Sequence, residues 1–180
     1  MPAIGEQVPS FALPDTGGAL HEPGGSPATV VVFTCNHCPY ALAWHERLIA
    51  VARDYAGRGV KMLAINPNDA ARYPRDSVEA MRARVDGGEF DGVPYLRDES
   101  QEVARAYGAL TTPDVFMLDA DGVLRYRGAP DSDYEQPGEN AAWLRAALDA
   151  ALSGRWPDPA ETQPVGCSVK WRADTADRSA

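Results

Sequence analysis

Thr29-Val30-Val31-Val32-Phe33-Thr34-Cys35-Asn36-His37-Cys38-Pro39 is the stretch on which the fold turns. Its first six residues are β-branched or apolar without alternation, which predicts a central strand buried on both faces, as in parallel sheets. Beyond Pro39 the period changes to 3.6. Ala41, Trp44, Leu48, Val51 and Tyr55 share one face, and Gly57 and Gly59 terminate the helix so predicted. A second apolar strand, Val60 to Ile65, completes a βαβ unit whose right-handed crossover makes the two strands parallel. Cys35 and Cys38 therefore lie where the first strand hands over to its helix.

Upstream of this unit, Phe11-Ala12-Leu13 and Leu20-His21, separated by Pro14 to Gly18, predict two short edge strands. Downstream, Asn66-Pro67-Asn68-Asp69 closes the second strand. Asp76 with Glu79 then offers an N-cap and its reciprocal partner to a helix through Val78, Met81 and Val85, ended by Gly87-Gly88. Val93 to Leu96 reads as a short strand and Gln101 to Tyr107 as a short helix stopped by Gly108. Val115 to Leu118 and Val123 to Tyr126 flank Asp121-Gly122, a strong hairpin signal. A last amphipathic helix runs from Asn140 to Leu152 and ends at Gly154. The fold class is α/β, a central mixed sheet with helices on both faces. The domain spans residues 1–154. Residues 155–180 form a tail carrying Cys167, kept extended by Pro157, Pro159 and Pro164 and mobile from Arg172.

A chain of 180 residues fits one domain. Its net charge of −9 repels a phosphate backbone, so no nucleic-acid partner is expected. The longest apolar run falls short of the roughly 20 residues needed to span a bilayer, so no membrane partner is expected either. Met1 to Gln7 lacks the cationic and apolar regions of a secretory leader, which points to the cytoplasm. Three cysteines are too few and too odd a number for a disulfide-stapled scaffold.

Cys35-Asn36-His37-Cys38 is a C-x-x-C at the carboxyl end of a buried strand, where open α/β sheets put their sites. Residues three apart in a turn reach the Cα separation of about 5–6 Å that a disulfide needs. His37, when protonated, adds a cation, and with a helix N-terminus nearby it favours thiolate over thiol. Cys35, the more N-terminal and expectedly more exposed sulfur, should attack first. Pro39 disfavours helical backbone at Cys38, so the helix begins at Pro39 and Cys35 lies a turn outside it. Its activation then owes more to His37 and local amides than to the macrodipole.

Two other readings stay open: a pair of inert buried thiols, or a metal-binding module using Cys35, His37 and Cys38 with Cys167. Three donors within four residues crowd one ion. Cys167, flanked by Val165, Val169 and Trp171, is either a packed free thiol or a third redox thiol that exchanges with the pair. Trp44 and Tyr55 belong to the core, His21 and His45 are surface or satisfied side chains, Trp143 and Trp156 pack around the last helix, and Asp131 and Asp133 face solvent.

These residues resemble the thioredoxin-fold redoxins, and within them a peroxiredoxin-like, AhpC/TSA-related branch. The resemblance spans nearly the whole chain. It is carried by Phe33 to Tyr40, by Ala64 to Asp69, by Asp98 to Ala104 and Tyr107-Gly108-Ala109, by Thr112-Pro113-Asp114-Val115-Phe116, and by Gly166-Cys167-Ser168-Val169-Lys170-Trp171. It implies a thioredoxin-like fold and a thiol–disulfide oxidoreductase in which Cys35 attacks, Cys38 resolves and Pro113 is a cis-proline facing the disulfide. Thr112 would then offer backbone groups to an extended substrate, a form of strand addition. Thr34, Asn36 and His37 take the activating and substrate-contacting positions around the pair. Implied partners are disulfide-containing proteins and a thiol reductant system, with no metal or organic cofactor. A thiol peroxidase, with Cys35 peroxidatic and Cys38 resolving, is the alternative. The chain also departs from thioredoxin: Thr34 stands before the first cysteine, Asn36-His37 lie between the two, and no acidic residue lies in the preceding strand. The proton acceptor for Cys38 is thus left unassigned.

Overall fold

The computed structural model describes residues 1–173. The end of the tail that was expected to be mobile, residues 174–180, lies outside them. In the five-stranded sheet the order is β5 (Tyr95–Arg97), β4 (Val60–Asn66), β3 (Ala28–Phe33), β7 (Asp114–Asp119), β8 (Leu124–Gly128). β3 runs parallel to β4 and antiparallel to β7, and β4 runs parallel to β5, so the sheet is mixed as expected. Two-residue strands β1 (Leu13–Pro14) and β2 (Leu20–His21) pair at one edge.

All six residues of β3 are buried, which is why that strand lacks alternation, yet its side chains still alternate between two cores. Val30 and Val32 pack with Trp44, Leu48, Met62, Met117, Leu144 and Leu148 beneath α1 (Pro39–Ala56) and α4 (Ala142–Leu152). Val31 and Phe33 pack with Leu63, Ile65, Phe116 and Tyr107 beneath α3 (Glu102–Tyr107). Helices therefore cover both faces.

Several local expectations are corrected. The N-cap of α2 (Val78–Asp86) is Ser77, whose hydroxyl accepts from Ala80 N–H at 3.2 Å; Asp76 turns its carboxylate into the protein instead. Asp131 does not face solvent: it is buried and accepts from Trp44 Nε1 at 2.7 Å, from Arg47 at 2.9 Å and from Ala141 N–H at 2.9 Å, which ties the start of α4 to α1. Trp156 is 54% exposed rather than packed, with the Arg125 guanidinium over its ring. His45 is a satisfied side chain, as expected, buried and bonded to the Glu89 carbonyl at 2.8 Å. The tail folds back rather than standing free. Thr162 N–H donates to the Arg127 carbonyl, and β9 (Cys167–Ser168) pairs antiparallel with β6 (Thr111–Thr112). Among the described residues no helix is long and apolar enough to cross a membrane.

Candidate functional site

β3 ends at Phe33, and Thr34 continues its ladder for one bond, donating to the Ile65 carbonyl at 2.8 Å. The chain then leaves the sheet. Cys38 takes extended backbone, φ −75° and ψ 124°, because Pro39 follows it, and its carbonyl accepts the helical bond from Leu42 at 3.0 Å. Cys38 is thus the N-cap of α1, and Cys35 lies outside the helix, as Pro39 foretold. The expectation that Cys35 is the more exposed sulfur fails, since both are 1% exposed.

Thr112 closes the site from across the sheet. Its peptide bond to Pro113 is cis, its hydroxyl lies 3.3 Å from Cys35 Sγ, and its carbonyl accepts from the Cys38 thiol at 3.0 Å. Asn36 is tied into the architecture: its backbone N–H donates to Asp76, Nδ2 to the Arg75 carbonyl, and Oδ1 accepts from Tyr95 and Arg84. His37 stacks on Tyr73 and brings Nδ1 to 2.8 Å from Asp76 Oδ2, with Cys35 Sγ in the same cluster.

Asp76 is the residue sequence reasoning missed. Fully buried, it accepts at Oδ1 from Asn36 N–H (2.7 Å) and Asn66 Nδ2 (3.1 Å) and at Oδ2 from Asn68 Nδ2 (2.9 Å). Cys35 Sγ, a His37 ring nitrogen and a carboxylate oxygen of Asp76 all lie within 4.8 Å of one another. The three donors nearest to a metal set are therefore not the Cys35, His37, Cys38 set of the sequence. With both carboxylate oxygens already taking amide N–H groups, Asp76 has little left to offer a cation. One signal was available: parallel neighbours end side by side, so polar Asn66 at the end of β4 and Asn68 just beyond it had to meet the residues after β3.

The sulfurs are electrostatically unequal. Cys38 is pushed down to about 4, chiefly by the hydrogen bond from Cys35, against the cost of burial and with help from the Cys167 thiol and the N–H groups of Ala41 and Cys167. Its place at the helix N-terminus acts the same way. Cys35 goes up because its proton is the one donated to Cys38, because it is buried, and because Asp76 lies close. The Thr112 carbonyl, which accepts the Cys38 proton, works against a Cys38 thiolate, and the Thr112 hydroxyl lies beside Cys35, so the two sulfurs titrate together as a pair.

Asp114, next to Pro113, is fully buried; one carboxylate oxygen accepts from Leu110 N–H at 3.0 Å and the other has no partner. Burial pushes it up to about 6. A carboxyl raised in the folded state is harder to ionise there than in the unfolded chain, so stability falls as pH rises from about 4 to about 6 and stays lost above. Asp114→Asn removes that fall. From pH 4 to pH 7 the unfolding free energy of the variant should gain about 2 kcal/mol on that of the parent. Urea midpoints at the two pH values check this, and an unchanged gap refutes it.

The AhpC/TSA family model matches residues 4–127. A thiol:disulfide interchange protein DsbE of Vibrio cholerae is 30% identical over 140 residues, 71% of this chain and 66% of that protein, so the chain spans just under two thirds of its length. A crystal structure of a hypothetical protein from Sinorhizobium meliloti 1021 is 40% identical, with a TM-score of 0.89 over 96% of this chain and 97% of that one. A thioredoxin-family thiol:disulfide interchange protein from Chlorobium tepidum superposes with a TM-score of 0.63 at 20% identity, covering 84% of this chain and 99% of that one. The fold is thioredoxin-like.

Proposed function

From the premise that this chain belongs to the AhpC/TSA family, as a thioredoxin-fold redoxin, we propose that it is a thiol–disulfide oxidoreductase cycling Cys35 and Cys38 between dithiol and disulfide. The observation that carries this reading is the pair itself: two buried free thiols three residues apart, bracketed by the hydroxyl and the carbonyl of Thr112 beside cis-Pro113. In so close a pair each thiol can hydrogen-bond to its neighbour's thiolate, so one sulfur attacks as the thiolate while the other stands ready to attack the mixed disulfide that forms. The interchange activity of the Vibrio relative supports the same class of chemistry. Substrates are disulfides, and the oxidised pair is returned to the dithiol by a thiol reductant.

For the second step Cys35 must lose its proton, and the nearest buried base is Asp76, with His37 beside it. An equilibrium titration in glutathione buffers, read by alkylation and intact mass, tests the proposal. One two-electron transition joining Cys35 to Cys38 is expected, and its absence overturns the reading. Peroxide consumption measured alongside distinguishes a thiol peroxidase.

A further inference from the structure

The strand edge on which an extended substrate would add, Thr111–Thr112, is already occupied by the chain's own tail. β9 lies antiparallel on it with Cys167 opposite Thr112, and Cys167 packs against Cys35 and Cys38. Dedicated contacts hold this arrangement. Val169 N–H donates to the Leu110 carbonyl at 3.1 Å, Lys170 N–H to Asn68 Oδ1 at 2.9 Å, and the Lys170 carbonyl accepts from Asp69 N–H at 2.8 Å and Gln101 Nε2 at 2.9 Å. Gly166 is required for the close approach, since a Cβ there would run into the Thr112 carbonyl. Cys35 and Cys38 are covered, and Cys167 is the thiol of the three that stays partly open to solvent.

We propose that residues 165–170 are a built-in substrate strand, and that Cys167 is the outward thiol through which disulfides exchange with the covered pair. This rests on the oxidoreductase reading and deepens it. The steps balance as exchange throughout. Cys167 thiolate attacks an external disulfide, forming a mixed disulfide and releasing one thiol. Cys38 thiolate attacks Cys167 Sγ, forming Cys38–Cys167 and releasing the second thiol. Cys35 thiolate attacks Cys38 Sγ, forming Cys35–Cys38 and returning Cys167. The external disulfide gains two electrons from the pair, and the protons of Cys35 and Cys38 leave on the two released thiols. The downward push on Cys38 arms it for the middle step.

Full-length Cys35→Ser, reduced and treated with one equivalent of oxidised glutathione, stops the sequence after its second step. Intact mass and peptide mapping should show a Cys38–Cys167 disulfide with no glutathione retained. In the same background Gly166→Val, which lifts the strand, should slow that linkage by roughly 10²-fold, as misplacing reacting atoms by about 1 Å does. Gln101→Ala, which removes a tail anchor, should slow it in the same direction should the glycine variant fail to fold. Glutathione left on Cys38 or Cys167 without the internal link overturns the relay, as does a linkage rate that neither tail variant changes. Failure of the oxidoreductase reading looks different, because the wild-type titration then shows no Cys35–Cys38 transition at all.

Discussion

Cys38→Ser is expected to reduce disulfide turnover by at least about 10³-fold, the scale of losing a member of a catalytic unit. Cys38 is the N-cap of α1, receives hydrogen bonds from Cys35 and Cys167, and lies between them, so every exchange route passes through its sulfur. Serine keeps the size and can still bond to the Thr112 carbonyl, so the loss belongs to chemistry rather than to folding. The variant should also accumulate a substrate adduct that it cannot resolve. Incubation with oxidised glutathione followed by peptide mapping locates that adduct: on Cys167 if exchange enters through the tail, on Cys35 if the pair reacts directly. Turnover within tenfold of the parent would remove Cys38 from the mechanism.

Asp76→Ala is expected to cost about 3–5 kcal/mol of stability, because it leaves Asn36 N–H, Asn66 Nδ2 and Asn68 Nδ2 without their common acceptor in a buried site. At roughly 2–4 °C per kcal/mol for a domain of this size, the melting temperature should fall by roughly 6–20 °C. Asp76→Asn keeps an oxygen for two of the donors and should lose less, although its amide nitrogen then faces Asn68 Nδ2. Thermal unfolding of both variants decides the matter. If Asp76→Ala melts within about 2 °C of the parent, the carboxylate is not the anchor of the loop. The same residue is a base within 4.8 Å of Cys35 Sγ, so the pH dependence of turnover should change in Asp76→Asn even where the fold holds.

Much of the fold was legible because it rests on patterns that neighbours in the chain impose on one another. The unbroken apolar run at β3, the 3.6-residue period after Pro39 and the Asp121-Gly122 turn each predict an element observed within a residue or two of its expected place. The same holds for Cys38: a proline after it forces extended backbone, and the helix starts where that constraint ends. The errors share a cause. Asp76 reads as a helix cap and Asp131 as a loop carboxylate, since acidic residues at helix starts and in Gly/Pro-rich loops are ordinarily there for those reasons. What holds both inside is a set of donors from distant segments: Asn36, Asn66 and Asn68 for one, Trp44, Arg47 and Ala141 for the other.

By itself, then, the sequence determined the βαβ core, the two cysteines at the mouth of its first strand, the family and the start of the helix, all consequences of chain-local sterics and of hydrophobic period. Only the tertiary structure decided how Thr112 brackets the two sulfurs, which carboxylate lies beside Cys35, and that Cys167 closes over the pair. Those three depend on groups far apart in the chain arriving within a few ångströms of one another. Hydrogen bonding and desolvation act over that distance, and no local pattern of residues encodes them.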